Sequence, residues 1–469
     1  MNSKAMIENR TYDEIGIGDT ACLTRTLTPE DILLFAVVTG DVNPAHVDPE
    51  YAATDIFHKV IAHGMWGSGL ISAVFGTELP GPGTIYLEQG LRFRKPVVPG
   101  DTITASVTVT AKDDRRHCLT FDCRCTNQHG EDVITGEAKV IAPTEKVKRQ
   151  RMALPEVRLA SHARYRALLV QAKGGDPAPA AIAHPCDATA LSAAVQAAEA
   201  GFIAPILIGP ESKIKAAADT AGIDISPYRL IDTPHSHAAA ERAAAMAAAG
   251  EVRMLIKGSL HTDELMSAVL AGDTGLRTER RLSHCYLMDV PGYDRPLLIT
   301  DAAININPTL EEKADIIRNA IDVAHVIGIE TPRVAILAAV ETVNPKMRST
   351  LDAAALCKMA DRGQISGALL DGPLAFDNAV SEKAAKEKGI TSEVAGRADI
   401  LLVPDLEAGN MVAKQLTFLA DADAAGVVLG ARVPIVLTSR ADSVETRLAS
   451  AALATLLSRA NTKAAPGVS

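Results

Sequence analysis

Two hydrophobic rhythms divide this chain. Thr102 to Thr110, Cys118 to Asn127 and Asp132 to Ala142 alternate apolar and polar residues or run β-branched, and the stretches KDDRR and QHGED separate them. A period of two broken by turn-forming residues predicts antiparallel hairpins with one buried face. Ahead of them, Val60 to Gly76 is a long apolar run rich in small residues, which reads as a buried helix. After Pro143 the rhythm changes. Thr144 to Val157 is charged, contains Pro155 and has no steady apolar period, so it reads as a linker or exposed connection. Beyond it, short apolar runs (PAAIAHP at 179–185, APILIGP at 204–210, then MLIKGS, RPLLITD, RVAILAA, GALLDG, DILLVPD and VPIVLTS) alternate with helical stretches such as HAAAERAAAMAAAG. Strands alternating with helices predict a mostly parallel sheet covered on both faces.

The chain has 469 residues, too many for one hairpin unit, so it is expected to be multidomain, α+β first and α/β after. Its net charge of −10 offers no basic tract to follow a nucleic-acid backbone, which excludes nucleic acid as an expected partner. The N-terminus MNSKAMIENRTYDEIG lacks the apolar core of a signal peptide, and no apolar run reaches membrane-span length; no membrane association and a cytoplasmic location are expected. Seven scattered cysteines read as packed free thiols. Cys123 and Cys125 share a strand face, but no second pair completes a zinc site, so no metal is expected. Neither a P-loop nor a dinucleotide glycine fingerprint is present.

The most informative stretch for chemistry is TGDVNPAHVD, Thr39 to Asp48. A carboxylate, Asp41, and an imidazole, His46, five positions apart in a Gly/Pro-punctuated loop can converge on one small molecule, typically water. Asp41 and Asn43 also suit plain turn roles. What favours chemistry is the next segment, where His63 and Gly64 open the apolar helix: a glycine there leaves a bare N–H at the positive end of the helix dipole, suited to a carbonyl oxygen gaining charge.

Gly40, Asp41, Asn43, Pro44, His46 and Asp48, followed by His63, Gly64 and Met65, resemble the motif of the MaoC-like, (R)-specific enoyl-CoA hydratases, and the resemblance runs to about Pro143. It implies a hot-dog fold over 1–143, with a linker over 144–159. It also implies that Asp41 and His46 activate the water added to an enoyl thioester, that the Gly64 N–H receives the thioester oxygen, and that Asn43 and His63 shape the substrate site. Which of Asp41 and His46 takes the proton stays open, since a coupled pair titrates as a unit. The same fold also supports thioesterases.

In the second half, polar clusters follow five strand ends: Lys257 and its neighbours, Asn305, Asp371, Asp405 with Asn410 and Lys414, and Ser439 with Arg440. Each suits a helix cap, yet five together favour a ligand cleft at the carboxyl ends of strands. The pieces IKGSLHT, TDAAININP, DGPLAFDNA, SEVAGRADILLVPDLEAGN and VLTSRADS resemble the phosphate acetyl/butyryltransferases. The resemblance implies a two-subdomain α/β/α fold over 160–469, divided as 160–295 plus 433–469 and 296–432, and reversible transfer of a short acyl group between CoA and phosphate. CoA thioesters, phosphate and acyl phosphate are then the expected ligands, with no tightly bound cofactor, and self-association into a homo-oligomer is expected. Arg440 would neutralise phosphate and Ser439 assist the sulfur, with Arg277 as a second anion contact and Lys257, Asn305, Asp405 and Asn410 lining the substrate site. Where acetyl-specific members place an aspartate this chain has Thr446, so Asp442 and Glu445 are the candidate bases. The alternative is that only one half is catalytic and the other binds acyl-CoA or serves assembly.

Overall fold

The hairpins form where alternation placed them. In the computed structural model, which describes residues 6–155, 157, 162–272, 275–439 and 442–464, the strands Thr102–Asp113, Cys118–Thr126 and Asp132–Ile141 pair antiparallel. Thr20–Thr26 and Ile85–Phe93 complete a five-stranded sheet at its two edges. Its inward side chains, among them Ile103, Val107, Phe121 and Val140, pack on the helix Gly64–Thr77 through Trp66, Ile71, Val74 and Phe75. The helix lies close to the sheet because of its small residues: a Cβ added at Gly67 would stand 2.6 Å from Ile134. This is the hot-dog arrangement, one helix held in a curved antiparallel sheet.

The segment expected to be a linker is partly built into this first unit. Lys148–Gln150 pairs antiparallel with Met6–Glu8, and the buried Asn9 donates to the carbonyls of Pro82 and Glu145. The lysines that made the stretch look solvated pair with Glu8 along this ladder.

The chain divides into compact units at 1–159 and 160–469. In the second, eleven strands form one sheet in the order Arg229–Asp232, Ile203–Gly209, Ala178–Ala183, Met254–Lys257, Ile435–Val436, Asp423–Leu429, Ser283–Asp289, Leu297–Thr300, Ile400–Leu402, Arg333–Leu337 and Leu369–Leu374. Seven neighbouring pairs are parallel. The three antiparallel ones lie together in the middle, around Asp423–Leu429 and Ser283–Asp289. The two halves of the sheet therefore run in opposite directions, each covered by helices. The strand Asp423–Leu429, expected in the second subdomain, is bonded to Ile435–Val436 on the first-subdomain side, so the chain crosses back before 423. Its alanine- and glycine-rich sequence gave that strand little apolar signal. Among the described residues no helix is long and apolar enough to cross a membrane.

Candidate functional sites

In the first unit the helix Pro29–Thr39 stops at Gly40, whose φ of 73° is the left-handed C-terminal conformation glycine favours. The turn releases Asp41 into a loop. Asn43 then caps the short helix Pro44–Val47, its Oδ1 accepting from the Ala45 N–H at 3.2 Å. Asp48 caps the next helix by accepting from the Glu50 and Tyr51 N–H groups. These caps fix the direction of His46.

The Nδ1–H of His46 donates to the Ile61 carbonyl at 2.9 Å, which leaves Nε2 as the acceptor. Its ring centre lies 4.0 Å from that of His63. His63, only 3% exposed, donates from Nε2 to the Asp41 carbonyl at 3.0 Å and lies 4.0 Å from Asp41 Oδ2. The Asp41 side chain remains 51% exposed. Asp41, His46 and His63 form the one group of three potential metal donors among the described residues, with a donor atom of each within 4.8 Å of the others. Internal hydrogen bonds already occupy His46 Nδ1 and His63 Nε2. Beside the histidines lies an apolar cavity of about 470 Å³, bounded by Gly64, Trp66, Phe93 and Ile134 and flanked by Arg94 and Lys95. Gly64 is the first helical residue, so its N–H is one of those an α-helix leaves without an internal partner. Of the sequence-predicted residues of this half, His46, His63 and Gly64 line one apolar opening, Asp41 stands beside the two histidines without lining it, and Asn43 serves as a cap.

The second unit brings together fewer of its expected residues. Ser439 follows the strand Ile435–Val436 and lies next to the end of Met254–Lys257, its parallel neighbour. The Ser439 N–H donates to Asp442 Oδ2 at 2.6 Å, and the Asp442 N–H donates back to the Ser439 carbonyl at 3.2 Å. Burial pushes the Asp442 carboxyl above its ordinary range, opposed by the Ser439 N–H and the positive charges of Arg447, Lys257 and Lys414. Glu445, in the first turn of the helix Val444–Ala464, goes the other way: its own backbone N–H and the Ser443 side chain hold its carboxyl below the usual range. Of the two candidate bases, Asp442 therefore has the more basic carboxylate. Lys257 is buried, with Nζ donating to the Gly258 and Leu260 carbonyls.

Other expected contacts are otherwise engaged. Asn305 is buried with its amide fully used, donating to Leu282 O and Asp301 Oδ2 and accepting from Arg281 Nε, so it braces the loop rather than facing a ligand. Asp405 caps the helix Leu406–Leu419, and Asn410 donates to the Ala302 carbonyl. Arg277 lines a separate cavity of about 630 Å³ with Arg280, Arg281 and the acidic Glu311, Glu312 and Asp315. Arg440 lies outside the described residues.

Two buried residues escaped sequence reasoning. Arg447 donates to Thr438, Ser439 and Asp442. His284 is held neutral by burial, packs on Tyr286 at 4.3 Å, and has no hydrogen-bond partner for either ring nitrogen. No local signal marked either one.

A hot-dog unit followed by an α/β unit with a Ser439-bearing turn defines a two-domain protein. Residues 16–128 match the family described as MaoC like domain, and residues 235–455 that described as phosphate acetyl/butaryl transferase. A phosphate acetyltransferase from Rhizobium meliloti is 61% identical over 297 residues, covering 63% of this chain and 94% of that relative. The solved structure of a branched-chain phosphotransacylase from Enterococcus faecalis is 30% identical, with a TM-score of 0.54 over 60% of this chain and 99% of its own. An R-hydratase structure from Pseudomonas aeruginosa is 42% identical over 33% of this chain and 99% of its own, with a TM-score of 0.32. The chain belongs to the phosphate acetyl/butyryltransferase family and carries a MaoC-like domain ahead of that region.

Proposed function

We propose that the first unit adds water to a trans-2-enoyl-CoA to give the (R)-3-hydroxyacyl-CoA, while the second exchanges a short acyl group between CoA and phosphate. The observation that carries the first reading is the grouping of Asp41 with His46 and His63, the two histidines lining an apolar cavity together with Gly64 at the helix start. The Asp41–His46 pair takes a proton from water as the oxygen bonds to C3, and His46 Nε2 is the acceptor its hydrogen bonding leaves available. Charge moving onto the thioester oxygen meets the Gly64 N–H, and a proton returns to C2.

In the second unit, the CoA thiol gives its proton to Asp442 and the sulfur attacks the carbonyl of an acyl phosphate. A C–S bond forms, the C–O bond breaks, and phosphate leaves with the electron pair, its charge met by Arg440. The Ser439 hydroxyl donates to the sulfur. The raised Asp442 carboxyl within hydrogen-bond distance of Ser439 supports this assignment over Glu445. Both steps as written use only side chains, backbone donors and the two substrates. The names of the relatives, a phosphate acetyltransferase and a branched-chain phosphotransacylase, support a short acyl group as the one transferred. We also place the protein in the cytoplasm as a homo-oligomer; the exposed Ile85 and Leu87 on an edge strand offer one surface for self-association.

Two assays test the pair of activities. Crotonyl-CoA is expected to lose its enoyl absorbance, and acetyl- and butyryl-CoA are expected to release CoA only when phosphate is present. No phosphate-dependent release from either thioester sinks the transferase reading. CoA released from a saturated thioester without phosphate would reassign the hot-dog unit as a thioesterase.

A further inference from the structure

We propose that Arg447 is a positioning residue of the transferase site, whose guanidinium ties Thr438, Ser439 and Asp442 together and brings a positive charge beside them. The inference rests on the transferase reading above. Arg447 lies one turn into the helix Val444–Ala464 and is 9% exposed. Each of its three nitrogens donates back into the turn: Nη1 to Thr438 Oγ1 at 2.9 Å, Nη2 to the Ser439 carbonyl at 2.7 Å and Nε to the Asp442 carbonyl at 3.4 Å. The residues on both sides of 440 and 441 are thereby tied to one planar group. A lysine, with a single ammonium on a flexible stem, cannot reproduce that fork.

The acceptors are a hydroxyl and two carbonyls, all neutral, and no carboxylate among the described residues pairs with Arg447 within salt-bridge distance. Keeping a buried guanidinium without a direct ion pair is costly if packing is its only role. Beside a serine where a thiolate or phosphate gains negative charge, the same cation stabilises the transition state without reorganising. It also acts on Asp442. The groups facing that carboxylate are Lys257 from the adjacent strand end, Lys414 from the helix Leu406–Leu419, Tyr286 from Ser283–Asp289, the Ser439 N–H and Arg447 itself.

The test compares the wild-type full-length chain with Arg447→Ala and Arg447→Lys. Phosphate-dependent CoA release is followed from pH 5 to 9, and circular dichroism and thermal melting establish folding. Arg447→Ala is expected to lower kcat by about 10²-fold with KM for acyl-CoA within about threefold, and millimolar guanidinium is expected to restore part of the loss. Because Arg447 lowers the Asp442 pKa and the base works only when ionised, Arg447→Ala is expected to move the acid limb of the rate profile to higher pH. Arg447→Lys keeps the charge and loses the fork, so it is expected to lose rate with the limb unmoved. A folding defect lowers the amplitude of the profile without shifting it. An active wild type with an Arg447→Ala enzyme of unchanged kcat, or of reduced kcat with neither a shifted limb nor guanidinium rescue, overturns this inference alone. If Arg447→Ala does not fold, an Arg447→Lys enzyme with wild-type kcat overturns it. Absence of transfer in the wild type sinks the transferase reading and this inference together.

Discussion

Asp41 and Asp442 are the two carboxylates proposed to handle protons, and the chain surrounds them in opposite ways. Asp41 lies in a loop with half of its side chain open to water, held by the N–H of Asn43 two residues on and approached by His63. Asp442 is partly buried, pushed up by desolvation, and faced by three cations from three separate elements. The first site has its reactive groups in place but leaves water exclusion to the substrate that fills the cavity. In the second, the protein has already removed much of the water and set the local field. An exposed acid/base pair concentrates its effect in the pair itself, whereas a partly buried one spreads it over the groups that tune it.

The largest effects should come from breaking the exposed pair. Asp41→Asn and His46→Gln are each expected to lower crotonyl-CoA hydration by about 10³-fold, within the usual range for losing a general acid or base. Acyl transfer by the same variants is expected to stay at the wild-type level, since Asp41 and Asp442 belong to different compact units. If either substitution abolishes both activities, the contrast between two independent sites collapses.

A smaller loss is expected at the second carboxylate. Asp442→Asn should reduce phosphate-dependent CoA release by about 10²-fold, and Glu445→Gln should leave it nearly unchanged. The pH dependence follows from the opposed shifts. A carboxyl raised by burial is still protonated at pH values where an ordinary aspartate, near pKa ~3.9, has ionised, so the acid limb of transfer should lie above that value. Were Glu445, held below its ordinary range, the base instead, the limb would fall lower and Glu445→Gln would be the damaging change.

The same contrast explains what could be read in the sequence. The hot-dog unit was legible because its helix and hairpins follow local periods, and because Asp41, Asn43, His46, His63 and Gly64 fall in two short stretches. The second unit was legible strand by strand wherever a strand was an apolar run. It was not legible at Ser283–Asp289 and Asp423–Leu429, whose polar and small residues hide the antiparallel centre of the sheet. Asn305 looked like a ligand contact because an asparagine after a strand has the same sequence signature whether it faces a cleft or, as here, cross-braces Asp301 and Leu282. Arg447 carried no signal in the sequence. Only its three donors, turned back into the preceding loop, reveal its place.

The smallest expected effect probes how much of the first site depends on its scaffold. The Asn43 side chain caps the short helix that carries His46. Removing such a cap costs about 1 kcal/mol. Two other ties remain after Asn43→Ala: the residue-43 N–H still donates to Asp41 Oδ1, and His46 Nδ1–H still donates to the Ile61 carbonyl. Hydration is therefore expected to fall only about fivefold, since 1 kcal/mol of local order corresponds to that factor in population. The melting transition of the first unit should drop by a few degrees, and Asn43→Asp, which keeps a capping oxygen, should restore both. If Asn43→Ala instead abolishes hydration at unchanged thermal stability, Asn43 touches the reacting atoms. The exposed site would then depend on its neighbours as closely as the buried one does.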